Sequence, residues 1–104
     1  MFVKGHTMYA VVRHGKLKPG LTAEFTAKAE QAATAMTGKI AGFKNFYVIA
    51  GEGDALLTIG VFENKAAADA AQAAMGDVMQ SAFAPMLAAP PLTFGGNLVV
   101  SKTF

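Results

Sequence analysis

Residues 43–64 read FKNFYVIAGEGDALLTIGVFEN. Phe43 to Ala50 and Ala55 to Glu63 are both rich in β-branched and aromatic residues, the composition of strands. Gly51-Glu52-Gly53 between them is short enough for a tight hairpin, so the two runs pair antiparallel. Asn64 then offers a side-chain oxygen to the free amides of a first helical turn. A helix is predicted from about Lys65 to Ala84, with Met75, Val78, Met79, Ala82 and Phe83 as its apolar stripe and Pro85 ending it.

Upstream, Phe25, Ala29, Ala32, Met36 and Ile40 recur at three- and four-residue intervals, while Glu24, Lys28 and Gln31 fall on other faces. This predicts an amphipathic helix over Leu21 to Ala41, with Gly42 as its stop. Before it, Thr7 to Leu17 (TMYAVVRHGKL) reads as a strand closed by Lys18-Pro19-Gly20. After Pro90-Pro91, GNLVVSKT predicts a last strand near Gly96 to Thr103. The order strand, helix, strand, strand, helix, strand is that of an α+β ferredoxin-like βαββαβ sandwich, an antiparallel four-stranded sheet with two helices on one face.

One face of such a sheet usually meets water, and its strands then alternate apolar with polar residues. Here they do not. Strand three carries Ala55, Leu57, Ile59 and Val61 on one side and Leu56, Thr58, Gly60 and Phe62 on the other. By simple parity, strand two sets Phe43, Tyr47 and Ile49 against Phe46, Val48 and Ala50. Both faces require burial.

Composition agrees. Of 104 residues, 53% are hydrophobic and only 15% charged, and the mean hydropathy is +0.36. That is too apolar for disorder, and too apolar for so small a single domain to bury without a partner or a cavity. The 9 Lys and Arg against 7 Asp and Glu are scattered rather than striped, so no nucleic-acid partner is expected. No apolar run approaches the roughly 18 residues of a membrane span, and MFVKGHTMYA lacks the apolar core of a secretory signal; a cytoplasmic protein without membrane partners is expected. The absence of cysteine removes thiolate nucleophiles, disulfides and cysteine-held metal.

From Met8 onward the chain resembles the dimeric α/β-barrel superfamily, and within it the small bacterial proteins similar to antibiotic biosynthesis monooxygenases. The resemblance rests on MYAVVRHGKLKPG, Ile40-Ala41-Gly42-Phe43, GVFEN and Pro90-Pro91. It implies one domain over residues 8–104 behind a 1–7 extension. It also implies a homodimer packed sheet against sheet into a barrel, with a pocket in each protomer between sheet and helices. Pocket-facing positions in such relatives fall on Arg13, late in strand one, and on Phe62, at the end of strand three, where tryptophan is common. Helix two has no histidine, so haem-binding relatives that need an axial imidazole there are poor guides.

On strand parity Tyr9 accompanies Arg13, and Thr58 and Gly60 accompany Phe62. Tyr9, Arg13, Thr58, Phe62 and Met79 are therefore the candidate substrate-binding residues. The Arg13 guanidinium could hold an anionic or phenolate oxygen, or make a structural salt bridge at a sheet end. Gly60 leaves space either for a cavity floor or for close approach of the alanine-rich helix. Met36, Met75, Met79 and Met86 could form a pliable wall or plain core. Asn45 and Tyr47 face either ligand or partner, depending on hairpin register. His14 is expected at an exposed strand end, and with His6 it forms no metal site; Ser81 and Ser101 lack a triad. No catalytic residue is assigned, and no metal or cofactor is expected. The implied function is a small-molecule pocket, as in a cofactor-independent monooxygenase acting on an aromatic or polyketide-like substrate. A non-catalytic ligand-binding or structural homodimer is the alternative. In either case the expected ligand is small and apolar or aromatic.

Overall fold

The computed structural model describes residues 8–104; the 1–7 extension, with His6, lies outside the described residues. The chain runs β1 (Tyr9–Lys16), α1 (Thr22–Thr37), β2 (Phe43–Ala50), β3 (Ala55–Phe62), α2 (Lys65–Val78) and β4 (Leu92–Asn97). The four strands form one antiparallel sheet in the order β2-β3-β1-β4, with the helices packed on one face. This is the expected ferredoxin-like α+β architecture. β1 and β3 occupy the centre, where both edges of each are hydrogen-bonded.

The hairpin turns through Glu52–Asp54, with Gly53 and Asp54 both at positive φ. Asn64 caps α2 as its sequence indicates, its side chain accepting from the Ala67 amide at 2.8 Å. Beyond Val78 the helix changes pitch, passing through a π-helical turn at Met79–Phe83 and a 3-10 turn at Ala84–Met86 that contains Pro85. This rotates the apolar stripe and leaves Val78 exposed.

Three sequence expectations are corrected. Helix α1 ends at Thr37, before Ala41: Gly38 follows, and the Lys39 and Ile40 amides both close on the Met36 carbonyl (3.0 and 2.9 Å), which ends the ladder. The last strand lies earlier than Gly96 to Thr103. Its position is set by pairing with β1, from His14 opposite Leu92 to Tyr9 opposite Asn97, and not by the β-branched run Leu98-Val99-Val100. After Leu98 donates to the Met8 carbonyl the segment leaves the sheet, with Val99 and Val100 exposed. Finally, a bulge between Phe43 and Asn45 breaks parity in β2, so Phe43 lies on the helix-covered face and not beside Tyr47 and Ile49.

Two buried clusters lie under the helices. Leu17, Phe25, Leu56, Phe83 and Met86 form one, with Phe25 edge-on to Phe83 at 5.3 Å. Val11, Phe62, Ala68 and Ala71 form the other. The opposite face carries Ala10, Val12, Leu57, Ile59 and Val61, flanked by exposed Tyr47, Ile49, Leu92 and Phe94.

Gly42 joins α1 to β2 at φ +84°, and a β-carbon there would lie 2.9 Å from the Ala67 β-carbon and 3.1 Å from that of Glu63. Gly20, at φ +80°, has nothing within 4 Å of such an atom. Gly20→Ala should cost about 1–2 kcal/mol from left-handed backbone alone, and Gly42→Ala distinctly more because α2 must also shift. Urea unfolding midpoints checked at constant slope should rank them in that order.

Candidate functional site

Between the covered face of the sheet and the two helices lies a cavity of about 340 Å³. Its floor is built by strand register. Val11, Arg13 and Gly15 on β1 stand opposite Gly60, Thr58 and Leu56 on β3, all with the same facing, and Phe46 continues the Gly60 row onto β2. The roof comes from Ala29, Ala32, Ala33 and Met36 on α1 and from Gln72, Met75, Gly76, Met79, Gln80 and Phe83 along α2. Those last six positions follow spacings of three and four residues and describe one helical face. Phe25 and Phe83 bound one end, and Phe43, Phe46 and Phe62 the other.

Among the described lining residues Arg13 is the only one that ionises; their other polar side chains are Thr58, Gln72 and Gln80. Arg13 is half-buried, and among the described residues it has neither an ion-pair nor a hydrogen-bond partner. Burial lowers its pKa from the ordinary arginine value, though a guanidinium remains protonated throughout the working range of a protein. An unpaired cation among apolar walls is poorly solvated, and an anion placed beside it gains more than it would in water. The arrangement therefore suits a ligand that is largely apolar and carries one negative or strongly accepting oxygen.

Of the five candidate residues read from sequence, Arg13, Thr58, Phe62 and Met79 line this cavity. Tyr9 does not: it lies beside the Phe62 cluster, with its ring over Gly95, where an added β-carbon would sit 2.6 Å from the hydroxyl. Met36 and Met75 belong to the wall, whereas Met86 is buried core. Asn45 and Tyr47 lie on the opposite face, paired with Val61 and Ile59, and exposed His14 lies on that face as well. Phe43, Gln72 and Gln80 were not anticipated. The bulge hides the first from a parity argument. The glutamines could have been found from their spacing to Met75, Met79 and Phe83. No group of acidic and histidine side chains able to hold a metal occurs among the described residues, and none of their helices is long and apolar enough to cross a membrane.

The family model for antibiotic biosynthesis monooxygenase matches residues 8–76, which span β1 to most of α2. The chain belongs to that family. The match takes in the cavity floor, including Arg13, Thr58, Gly60 and Phe62. No functionally curated protein matches this family member. Among solved structures it is similar to a protein of unknown function from Nitrosomonas europaea, with 20% identity, TM-score 0.75, and 95% of this chain and 97% of that one covered. A second protein from Nitrosomonas europaea, assigned to antibiotic biosynthesis monooxygenases, matches at 15% identity and TM-score 0.76, covering 99% and 100%. The heme-degrading protein Rv3592 of Mycobacterium tuberculosis matches at 13% identity and TM-score 0.66, covering 96% and 100%. At these identities the likeness establishes the shared fold alone. Among the described residues, none that lines the cavity is a histidine that could meet a haem iron.

A cation kept for a ligand is a cost to the empty protein. Arg13→Met keeps most of the stem and removes the half-buried charge, so it should raise unfolding free energy by about 1 kcal/mol. Urea denaturation of the ligand-free protein checks this, and a fall in stability would instead assign Arg13 a supporting role.

Proposed function

We propose that this family member is a cytoplasmic homodimer whose cavity binds a small aromatic or polyketide-like anion, and that it acts on it as a cofactor-independent monooxygenase. The observation that carries the reading is Arg13, a half-buried cation that, among the described residues, has no side-chain partner and no other charge beside it in the cavity lining. In this reading Arg13 holds the substrate oxyanion, Thr58 supplies a second polar contact, and Phe62 and Met79 pack the ring system.

The chemistry asks little of the protein. An acidic phenol or anthrone-like substrate ionises more readily beside the guanidinium, because the cation stabilises the product of deprotonation. The resulting anion passes an electron to dioxygen, and the two radicals combine with formation of a carbon–oxygen bond. The peroxide anion takes back the proton lost on ionisation, and the hydroperoxide then loses water as its carbon–hydrogen and oxygen–oxygen bonds break. One methylene and one dioxygen thus become one carbonyl and one water. The protein orients the substrate, excludes bulk water and stabilises the anion. Because the described lining residues include no imidazole or carboxylate to receive the proton, a non-catalytic ligand-binding dimer is the second reading.

The apolar helix-free face supports the dimer. Tyr47 is 50%, Ile49 52%, Leu92 75% and Phe94 71% exposed, on a sheet whose centre is Leu57 and Ile59. Two such faces together would bury more than the roughly 1,200 Å² at which stable interfaces begin. In this arrangement Asn45 and Tyr47 meet the partner and not the ligand.

Oxygen uptake with a panel of acidic phenols and anthrone-like compounds separates the readings, since a binding protein binds without consuming dioxygen. For an oxidised substrate, Arg13→Lys should retain part of the rate and Arg13→Met little. The methionine variant's pH–rate profile should move to higher pH, because its substrate must ionise unaided. Equal rates and profiles would remove the role given to Arg13.

Light scattering at micromolar concentration should return twice the 10.8 kDa chain mass. Ile59→Asp should dissociate that particle or make it insoluble by burying an unpaired charge. A monodisperse 10.8 kDa wild-type particle would overturn the dimer.

A further inference from the structure

Gly60 sits in the middle of β3, buried, in a strand otherwise made of good strand formers. A glycine there sacrifices both conformational entropy and packing, so the space it leaves should have a use. A β-carbon at Gly60 would meet only the ring of Phe62, at 3.0 Å from Cε2 and 3.4 Å from Cζ, and no atom of α2 lies within 4 Å. Close packing of the helix therefore does not explain it. On the helix side the position opens into the cavity.

The ring that leans over Gly60 is held from the other side. Phe62 packs against Phe43 with centroids 5.3 Å apart and an interplanar angle of 31°, and Phe43 lies 6.4 Å from Phe46. Phe43 reaches this face only through the bulge in β2. Two departures from regular strand structure thus combine, one bringing a third phenylalanine to the wall and the other letting Phe62 lie flat along the floor.

We propose that Gly60 and Phe62 together form the size filter of the cavity: the missing side chain lets the Phe62 ring lie back along the sheet, and the space so kept admits a ligand wider than a single fused ring pair. Gly60 is a specificity-determining position in this role, not a catalytic residue. A methyl group there occupies the floor and also presses on a ring that Phe43 prevents from retreating. The inference rests on the anion-binding cavity proposed above.

The test uses two anionic probes that share a naphthalene sulfonate and differ in bulk, 8-anilinonaphthalene-1-sulfonate and naphthalene-1-sulfonate. Their affinities are read by fluorescence and by competition, with thermal melting as a check on folding. Gly60→Ala should weaken the anilino probe about tenfold, the effect of a misplaced methyl in an apolar pocket, and leave the smaller probe within about twofold. Adding Phe62→Leu to Gly60→Ala should recover most of the lost affinity, because it removes the ring against which the methyl presses. Phe62→Leu alone should shift the affinity ratio toward the larger probe, and serves if the alanine variant does not fold. Equal weakening of both probes, no recovery in the double variant, or an unchanged ratio in Phe62→Leu would overturn the filter. Failure of the wild-type protein to bind either probe would overturn the cavity reading itself, and the filter with it.

Discussion

A four-stranded sheet with apolar side chains on both faces has helices for only one of them, and most of the structure follows from how the chain handles this imbalance. On the covered face, α1 and α2 pack at their margins through Phe25, Phe83 and Leu17 at one end and Ala68, Ala71 and Phe62 at the other. The cavity lies between these two clusters. The uncovered face keeps Ile49, Leu92 and Phe94 in contact with water, an unfavourable arrangement at roughly 25 cal/mol per Å² of apolar surface. The hydrophobic excess of the composition is thus divided between an internal void and an external face.

The cavity shows the same economy. The helices turn short alanines to it, and the longer Gln72, Met75, Met79 and Gln80 stand around the space these leave. Gln72 and Met75 on α2 and Met79, Gln80 and Phe83 on the π-helical turn that continues it line the same wall. Against this lining the half-buried Arg13 guanidinium dominates the electrostatics, because no carboxylate among the described residues competes for it. A monoanion is what such a site discriminates best.

Much of this was legible in the chain. Element order, the hairpin, the Asn64 cap and the apolar character of both sheet faces each depend on local chemistry or on strand parity, and neighbours in sequence determine both. Arg13 and Phe62 came from the family resemblance, Thr58 from its strand parity with Phe62, and Met79 from the helical stripe, since period-two and helical spacings carry facing. Tyr9 shares the parity of Arg13 yet stands apart from the cavity, because facing does not say which stretch of a face the helices leave open. Long-range packing decides that.

What the sequence by itself determined, then, is the fold and the sidedness of its residues. Only the tertiary structure decided the position of β4, which follows the length of β1 against the stronger β propensity of Leu98-Val99-Val100. It alone moved Phe43 across the sheet, since a bulge is a mismatch between two strands and belongs to neither sequence. It also decided between two uses of Gly60. A missing side chain reads the same whether a helix or a void lies above it, and the difference is the distance to atoms remote in the chain. Periodicity propagates along a strand through covalent geometry. Enclosed space is made only where separate elements fail to touch, and no local pattern encodes that failure.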